Sequence, residues 1–319
     1  MLAPDVAVQA GGDANRMSRC NHKLDTAVRE GEPSTMCSRV IVATDSCANL
    51  PDSLIEELGI RVVPIRLNIG DRTYRDGIDL APAEFYRLLR TSTEAPKTSS
   101  PSVADFLQVY TKAIEDGNEV VAICIASELS AVHGVAVMAS QMVDAARIRV
   151  VDSGCSTMAQ GFVVLEAARA AAAGADLTAV MARAEEMIPK VRFFAVLETL
   201  DYLYRGGRIG NAVHLVGTTL KIKPMVTVRQ GKVQLVAVPR TKSQAFLRMV
   251  HEIEREAHGQ PVHAGIFHSD ALEDAKALRH LAAERVECVE LYTTEFTPVM
   301  GAHAGPGVVG VAYYIDDDH

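Results

Sequence analysis

Three short runs of branched aliphatic residues, separated by long amphipathic stretches, constrain the fold of this chain more than any other feature. Residues 39–44, 119–126 and 147–151 are rich in Val and Ile and are apolar on both faces, as expected for buried parallel strands. Helical patterns lie between the runs, and the first of them ends at Gly59, a predicted C-cap. The alternation predicts an α/β domain with a parallel sheet flanked by helices.

The second half of the chain has a different pattern. Helices are predicted over residues 159–174 and 177–190, and strands over 193–197, 225–229, 232–238, 289–296 and 308–315. Two of these strands flank Gln230-Gly231, a turn signal that indicates a hairpin and antiparallel pairing. A smaller hairpin, around Gly70-Asp71, is predicted as an insertion in the first half.

These patterns predict two domains, at residues 39–159 and 160–319, the second with a mostly antiparallel sheet and covering helices. Residues 1–38 are polar and show no period of 2 or 3.6. We interpret them as a disordered leader, an over-extended start or added sequence.

Charge and cysteine content exclude several classes of function. The net charge of −8 argues against nucleic acids and anionic membrane surfaces as partners, because both are recognised through clustered Lys and Arg. The six cysteines show no C-x-x-C spacing, so the sequence indicates neither a metal site nor a disulfide framework and favours a cytoplasmic location. No apolar run reaches the roughly 18 residues that suggest a membrane-spanning helix.

A polar run at residues 96–102 precedes an amphipathic helical pattern. Ser100 fits an N-cap and Pro101 the first helical position. This start would leave Thr98 and Ser99 beside the positive end of a helix dipole, where a carboxylate or phosphate can bind. The alternative is an ordinary capped helix with a polar lead-in.

Polar side chains follow each of the three predicted parallel strands. They are Asp45 and Ser46 after the first, Ser127 and Ser130 after the second, and Asp152 and Ser153 after the third. Ligands of open parallel sheets bind outside the carboxyl ends of the strands, so this edge is a candidate site. Alternatively, these residues only cap the helices that follow.

The order and spacing of short motifs over residues 40–314 resemble the DegV family of bacterial fatty-acid-binding proteins, which includes the acyl-carrying subunit of fatty acid kinase. The motifs are Ala43-Thr44-Asp45-Ser46, the run at 96–102, Asp152-Ser153, the run at 203–209 containing Arg205-Gly206-Gly207-Arg208, Lys221-Ile222-Lys223-Pro224, and His303-Ala304-Gly305-Pro306-Gly307.

The resemblance implies a non-catalytic carrier that buries a long-chain fatty acid between two domains, without cofactor or metal. By that analogy Thr98 and Ser99 contact the carboxylate, Ser130 lies close to them, and His303 approaches from the second domain. Four further residues are expected near the pocket: Asp45, Ser46, Ser127 and Ser153. The resemblance also implies a kinase partner, with Arg208 at the phosphate or at the partner surface.

One turn departs from the family pattern. Relatives carry Ser-Gly-Thr or Ser-Gly-Ser after the second strand, whereas this chain has Ser130-Ala131-Val132-His133. The change removes a glycine that allows close backbone approach and a hydroxyl that could bind the carboxylate. His133 is either a compensating donor or an exposed or capping residue.

A different class of function remains open from the residues alone. A lipid or ester hydrolase could use Ser130 or Ser99 as nucleophile, His303 as base and Asp45 as acid. The match of residues 305–310 to G-x-G-x-x-G precedes a terminal strand and not a helix, so it does not indicate a dinucleotide site.

Overall fold

A computed structural model describes residues 39–91, 94–216 and 222–315. The predicted leader and Lys221 lie outside these residues. The strands are β1 (Val40–Asp45), β2 (Arg61–Val63), β3 (Arg66–Ile69), β4 (Arg72–Arg75), β5 (Lys97–Ser99), β6 (Glu119–Cys124), β7 (Ile148–Asp152), β8 (Arg192–Val196), β9 (Met225–Arg229), β10 (Lys232–Ala237), β11 (Val262–His268), β12 (Cys288–Glu295) and β13 (Val309–Ile315).

The helices cover both sheets. They are α1 (Asp52–Leu58), α2 (Pro82–Thr91), α3 (Val103–Glu115), α4 (Val132–Val143), α5 (Thr157–Ala172), α6 (Leu177–Met187), α7 (Asp201–Arg205), α8 (Lys242–Ala257), α9 (Leu272–Arg285) and α10 (Pro298–Ala304), with short 3₁₀ segments at Ser46–Ala48 and Gly210–Leu215.

The N-terminal half contains the predicted parallel sheet, in the order β2-β1-β6-β7. Its central strands β1 and β6 are buried almost throughout, which explains their apolar sequence on both faces. Gly59 ends α1 in a left-handed conformation, as predicted. The small hairpin β3–β4 also forms, and β5 adds to it as a third antiparallel strand.

The predicted helix start at Ser100 is wrong. The helix α3 begins at Val103 with Ser102 as N-cap, and Ser102 forms a capping box with Asp105. Residues 97–99 pair with β3 as a strand. Thr98 and Ser99 therefore lie on a strand and not at a helix N-terminus, and the helix dipole does not account for an anion site there.

The C-terminal half contains a six-stranded sheet in the order β10-β9-β8-β13-β11-β12. All neighbours pair antiparallel except β11 and β12, which are parallel, so the predicted mostly antiparallel sheet is confirmed. The hairpin β9–β10 turns at Gln230 and Gly231, which both have positive φ (51° and 72°), as a type I′ turn requires.

Helix α5 packs against β1 of the parallel sheet and β13 of the antiparallel sheet. Every residue from 157 to 168 is buried, because both sides of the helix are covered. Its sequence is correspondingly apolar on most of its circumference, and the buried polar side chains of Gln160 and Glu166 are hydrogen-bonded. The predicted domain border at residues 159 and 160 falls inside this helix, and the division into two domains stays a prediction.

Gly161 marks the closest approach of α5 to the first half. A Cβ atom at Gly161 would lie 2.7 Å from the Ala48 carbonyl oxygen and 3.0 Å from Leu50 Cδ2. Gly134 of α4 is the natural comparison, because a Cβ there would meet no atom within 4 Å.

We expect Gly161→Ala to lower the free energy of unfolding by about 1–3 kcal/mol through overpacking. Gly134→Ala should instead raise it by about 0.5–1 kcal/mol, because alanine is the better helix former. Urea denaturation of both variants checks the pair of signs, and stabilisation by Gly161→Ala would contradict the packing described.

Candidate ligand cavity

A cavity of about 240 Å³ lies between the polar loops of the first half and the second sheet. It is many times larger than the roughly 10–15 Å³ that one water molecule needs. Most of its wall is apolar: Cys47, Ile65, Ile125, Leu129, Phe193, Ala195, Leu197, Leu203, Val226, Val228, Val233, Phe296, Val299, Met300, Ala304 and Val308. A space of this size, lined mainly by apolar side chains, is typical of a ligand pocket and unusual for a close-packed protein interior.

Aromatic stacking stabilises one side of this wall. The rings of Phe193 and Phe267 stack with centroids 5.2 Å apart, and those of Phe267 and Phe296 stack at 5.1 Å. Phe267 is fully buried behind the other two. Both rings that line the cavity are therefore held in place by the core.

The polar part of the wall comes from separate segments of the chain. Thr98 and Ser99 belong to β5, and Ser100 follows it. Ser130 precedes α4, Ser156 stands at the N-cap position of α5, and Thr157 begins that helix. Arg208 and His303 come from the second half. The structure thus brings together the five residues predicted for the carboxylate or phosphate: Thr98, Ser99, Ser130, Arg208 and His303. Ala131, the departure from the family pattern, also lines the cavity, whereas His133 does not appear in its wall.

A hydrogen bond joins the two halves at this polar part. Thr98 Oγ1 lies 2.7 Å from His303 Nε2, whereas His303 Nδ1 is buried without a hydrogen-bond partner. A proton on Nδ1 would be a buried unsatisfied donor, which is costlier than an unsatisfied acceptor. The neutral ring therefore carries its proton on Nε2 and donates to Thr98, which leaves the threonine hydroxyl hydrogen free to donate to a ligand.

Burial, together with the nearby positive charge of Arg208, lowers the pKa of His303 to about 4. The imidazole is therefore neutral at physiological pH. Its contribution to the site is hydrogen bonding, and the positive charge is supplied by Arg208.

The side chain of Arg208 is exposed, but its guanidinium is held by two hydrogen bonds to backbone carbonyls. Its Nε donates to the carbonyl oxygen of Leu129 at 3.1 Å, and its Nη1 donates to the carbonyl of Gly206. These bonds hold the guanidinium between the segment before α4 and the turn after α7.

A second hollow, of about 370 Å³, lies on the other side of these residues. Thr98, Arg208 and His303 line both spaces. Lys97, Tyr202 and Arg205 also face the outer hollow. Thr98, Arg208 and His303 therefore lie at the border between the mostly apolar cavity and a hollow that is lined by Lys97, Arg205, Arg208 and Glu94.

Asp45 supports the wall of the cavity without lining it. The carboxylate is fully buried and accepts from Cys47 N at 2.9 Å, Ile125 N at 2.7 Å and Gln160 Nε2 at 3.2 Å. Cys47 and Ile125 both line the cavity. Burial raises the pKa of Asp45 to about 6, against the effect of these hydrogen bonds.

The other three residues expected near the pocket also lie outside its wall. Ser46 Oγ accepts from the backbone N–H of Ile65, a wall residue, at 3.2 Å. Ser153 is buried and its hydroxyl accepts from Cys155 N at 3.2 Å. Ser127 is exposed, and its N–H donates to Asp152. Ser46 supports the wall, whereas Ser127 and Ser153 order the loops behind it.

The geometry does not form the catalytic triad of the hydrolase alternative. His303 Nε2 bonds to Thr98 and not to Ser99 or Ser130. Asp45 is bonded to Cys47, Ile125 and Gln160, and Nδ1 of His303 has no partner. A serine nucleophile would need the base within reach and an acid on the other ring nitrogen.

Two residues that the sequence analysis did not single out for a role at the site position His303. Asp76 is buried, and its Oδ1 accepts from Val299 N at 3.0 Å in the first turn of α10. Gly301 allows α10 to approach α2, because a Cβ there would lie 2.6 Å from the hydroxyl oxygen of Tyr86. Asp76 lies in a run of polar residues, so no apolar pattern marks it as buried.

The described residues contain no group of three or more His, Cys, Asp or Glu side chains placed to hold a metal ion. Among the helices that the structure describes, none is both long enough and apolar enough to cross a bilayer. The fold and cavity together define an α/β protein with two larger sheets, a small third sheet, and a mostly apolar cavity with a polar boundary.

Comparison with known proteins places this architecture in a family. The DegV family model, described as that of an uncharacterised protein, matches residues 39–316. A DegV domain-containing protein of Streptomyces coelicolor is 34% identical over 278 residues, which cover 86% of this chain and 98% of the relative. A second such protein, from Caldanaerobacter subterraneus, is 32% identical and covers 86% of this chain and 98% of the relative. The chain belongs to the DegV family.

Solved structures share the fold. A DegV family protein from Thermus thermophilus, described by its fatty acid binding, superposes with a TM-score of 0.83 at 32% identity, over 87% of this chain and all of that one. DegV from Bacillus subtilis, described as a fatty acid binding protein, gives 0.79 at 29% identity, over 88% of this chain and all of that one. These likenesses confirm the predicted α/β fold with its parallel and mostly antiparallel sheets.

The lowered pKa of His303 predicts a pH dependence of stability. The unfolded chain takes up a proton near the ordinary pKa of 6.5, whereas the folded protein resists it until about pH 4. Because the unfolded state binds more protons at His303 between these values, the contribution of this residue to the free energy of unfolding falls as the pH is lowered through this window.

We expect His303→Gln to lose less stability than the wild type between pH 6.5 and pH 4, since glutamine has no proton to gain. Urea denaturation at a series of pH values gives the comparison. Parallel curves for the two proteins would show that His303 titrates normally in the folded state.

Proposed function

We propose that this protein binds a long-chain fatty acid, with the tail in the apolar cavity between its two halves and the carboxylate at Thr98. The observation that carries the proposal is an internal apolar space bounded by the neutral Thr98–His303 pair and the cation of Arg208. The descriptions of the Thermus thermophilus and Bacillus subtilis relatives as fatty acid binders support it.

The carboxylate is held by hydrogen-bond donors in this proposal. Thr98, oriented by the N–H of His303 Nε2, donates its hydroxyl hydrogen, and Ser130 supplies a second hydroxyl at the cavity wall. Ser99 also lines the cavity, but it is exposed and its hydroxyl oxygen accepts from Asn68 Nδ2 at 3.4 Å, which leaves its hydroxyl hydrogen to donate. Hydrogen bonds to an ionised group are about twice as strong as those between neutral groups. The buried tail contributes the larger part of the affinity, at about 0.8 kcal/mol per CH₂ before entropy losses.

The protein is a carrier that presents the bound carboxylate to a separate kinase subunit, in our proposal. The outer hollow supports this role, because Lys97, Arg205 and Arg208 place three cations beside the carboxylate position. The planar guanidinium of Arg208 suits a transferred phosphate. The chain itself contains no P-loop sequence, so the ATP is assigned to the partner.

We place the carrier in the reducing cytoplasm. The four cysteines of the described residues are free: Cys47, Cys124, Cys155 and Cys288.

Burial raises the pKa of the Cys47 thiol well above its ordinary value, so this cysteine of the cavity wall is an inert apolar group and not a nucleophile.

Denaturing extraction of the purified protein, followed by mass spectrometry of the lipid fraction, tests the binding proposal. A carrier releases close to one fatty acid per chain and leaves acyl esters unchanged. Lipid-free protein that also fails to take up added palmitate would overturn the proposal, and release of acid from an ester would point to the hydrolase.

Thr98→Val should weaken the binding of palmitate by about 10- to 100-fold, because it removes a hydrogen bond to a charged group worth about 1.5–3 kcal/mol. Thr91→Val is the control, since Thr91 lies at the exposed end of α2 and its hydroxyl donates to the carbonyl oxygens of Arg87 and Leu88 outside the cavity. Calorimetric titration of delipidated protein measures both. Equal affinities for the two variants would remove Thr98 from the site.

Arg208→Ala should retain the fatty acid but slow its phosphorylation by a kinase partner with ATP by at least tenfold, because the phosphate loses its bidentate donor. Arg72→Ala on exposed β4 serves as the control. Acyl phosphate formation and lipid occupancy are measured on the same samples. Loss of both together would indicate a folding defect, and unchanged phosphorylation would exclude the role of Arg208.

A further inference from the structure

We propose that Gly206 positions His303, and that its lack of a side chain is what allows the Thr98–His303 hydrogen bond to form. The inference rests on the proposed function for its effect on fatty acid binding, but its structural part stands on the packing of the two residues alone. Gly206 acts through His303 and is a positioning residue.

The backbone of Gly206 does not itself require glycine. It follows α7 with φ −77° and ψ −9°, a conformation that any residue adopts. Gly207, the next residue, has φ +71° and open space where a Cβ would be, so that glycine serves the turn. The two adjacent glycines of the Arg205-Gly206-Gly207-Arg208 motif therefore have different physical roles.

The space beside Gly206 is occupied by the imidazole ring. A Cβ atom at Gly206 would lie 2.4 Å from His303 Nδ1 and 3.2 Å from its Cε1. The first distance is far shorter than nonbonded atoms tolerate. Because Nδ1 has no hydrogen-bond partner, the bond from Nε2 to Thr98 is the hydrogen bond that orients the ring, and the bare Cα of Gly206 leaves the space for it.

Gly206 also contacts the second polar residue of the boundary. Its carbonyl oxygen accepts from Nη1 of Arg208, whose charge lowers the pKa of His303. The Cα of Gly206 thus lies against the imidazole ring of His303, and its carbonyl oxygen binds the guanidinium of Arg208. A side chain at this position would displace the ring from Thr98 while leaving the backbone carbonyl able to bind Arg208.

A double-mutant cycle tests the proposal with Gly206→Ala, His303→Ala and the double variant. In the wild-type background we expect Gly206→Ala to weaken palmitate binding at least tenfold in calorimetric titration. In the His303→Ala background the same substitution should change affinity less than twofold, because the ring it displaces is gone. Equal losses in both backgrounds would overturn the inference.

A second measurement does not depend on the ligand. The imidazole of His303, followed by NMR, should titrate closer to its ordinary pKa of 6.5 in Gly206→Ala, because the displaced ring is less buried. Gly134→Ala, which places its Cβ in open space, should leave the titration unchanged. An unaltered His303 titration in Gly206→Ala would contradict the positioning role.

The outcomes separate the two proposals. Wild-type protein that does not bind palmitate refutes the proposed function, while a shifted His303 titration would still support the inference. If Gly206→Ala fails to fold, the double variant decides: recovery of folding by His303→Ala supports the steric contact, and failure of both variants overturns it.

Discussion

The close packing of the short helix α10 against the first half is the constraint on which the candidate site depends. Asp76 accepts from the backbone of Val299 in its first turn, and Gly301 lets the helix approach Tyr86 without a side chain between them. These two contacts set the position of His303 one turn later. The hydrogen bond between His303 and Thr98 therefore depends on the position of α10. The polar boundary of the cavity depends on the packing of this helix as well as on its polar side chains.

The carboxyl edge of the parallel sheet borders the cavity, but its buried carboxylate does not line it. In open α/β sheets this edge holds the ligand directly, whereas Asp45 of this chain turns its carboxylate to backbone N–H groups of its own wall. Gln160 of α5 adds a third bond and ties the central helix to the same carboxylate. The segments after β6 and β7 supply Ser130, Ser156 and Thr157 to the cavity wall, and β5 of the small sheet supplies Thr98 and Ser99.

The sequence predicted the elements better than the contacts between them. The parallel strands and the Gln230-Gly231 hairpin were predictable because apolar runs and turn residues are local signals. The start of α3 was not, because Ser100 and Ser102 both fit an N-cap, and pairing of β5 with β3 and the partner Asp105 decided between them. Thr98 and His303 were placed together only through family resemblance, and the close approaches at Gly206 and Gly301 depend on side chains distant in the chain.

The aromatic rings of Phe193, Phe267 and Phe296 stack on one another beside the cavity. Phe193 and Phe296 line the cavity and are also part of the buried core. The same side chains therefore set the shape of the cavity and stabilise the fold. A substitution that reshapes the cavity at these positions would therefore also lower the stability of the fold. Substitutions confined to the loops that border the cavity would leave these three rings, and the side of the cavity that they shape, unchanged.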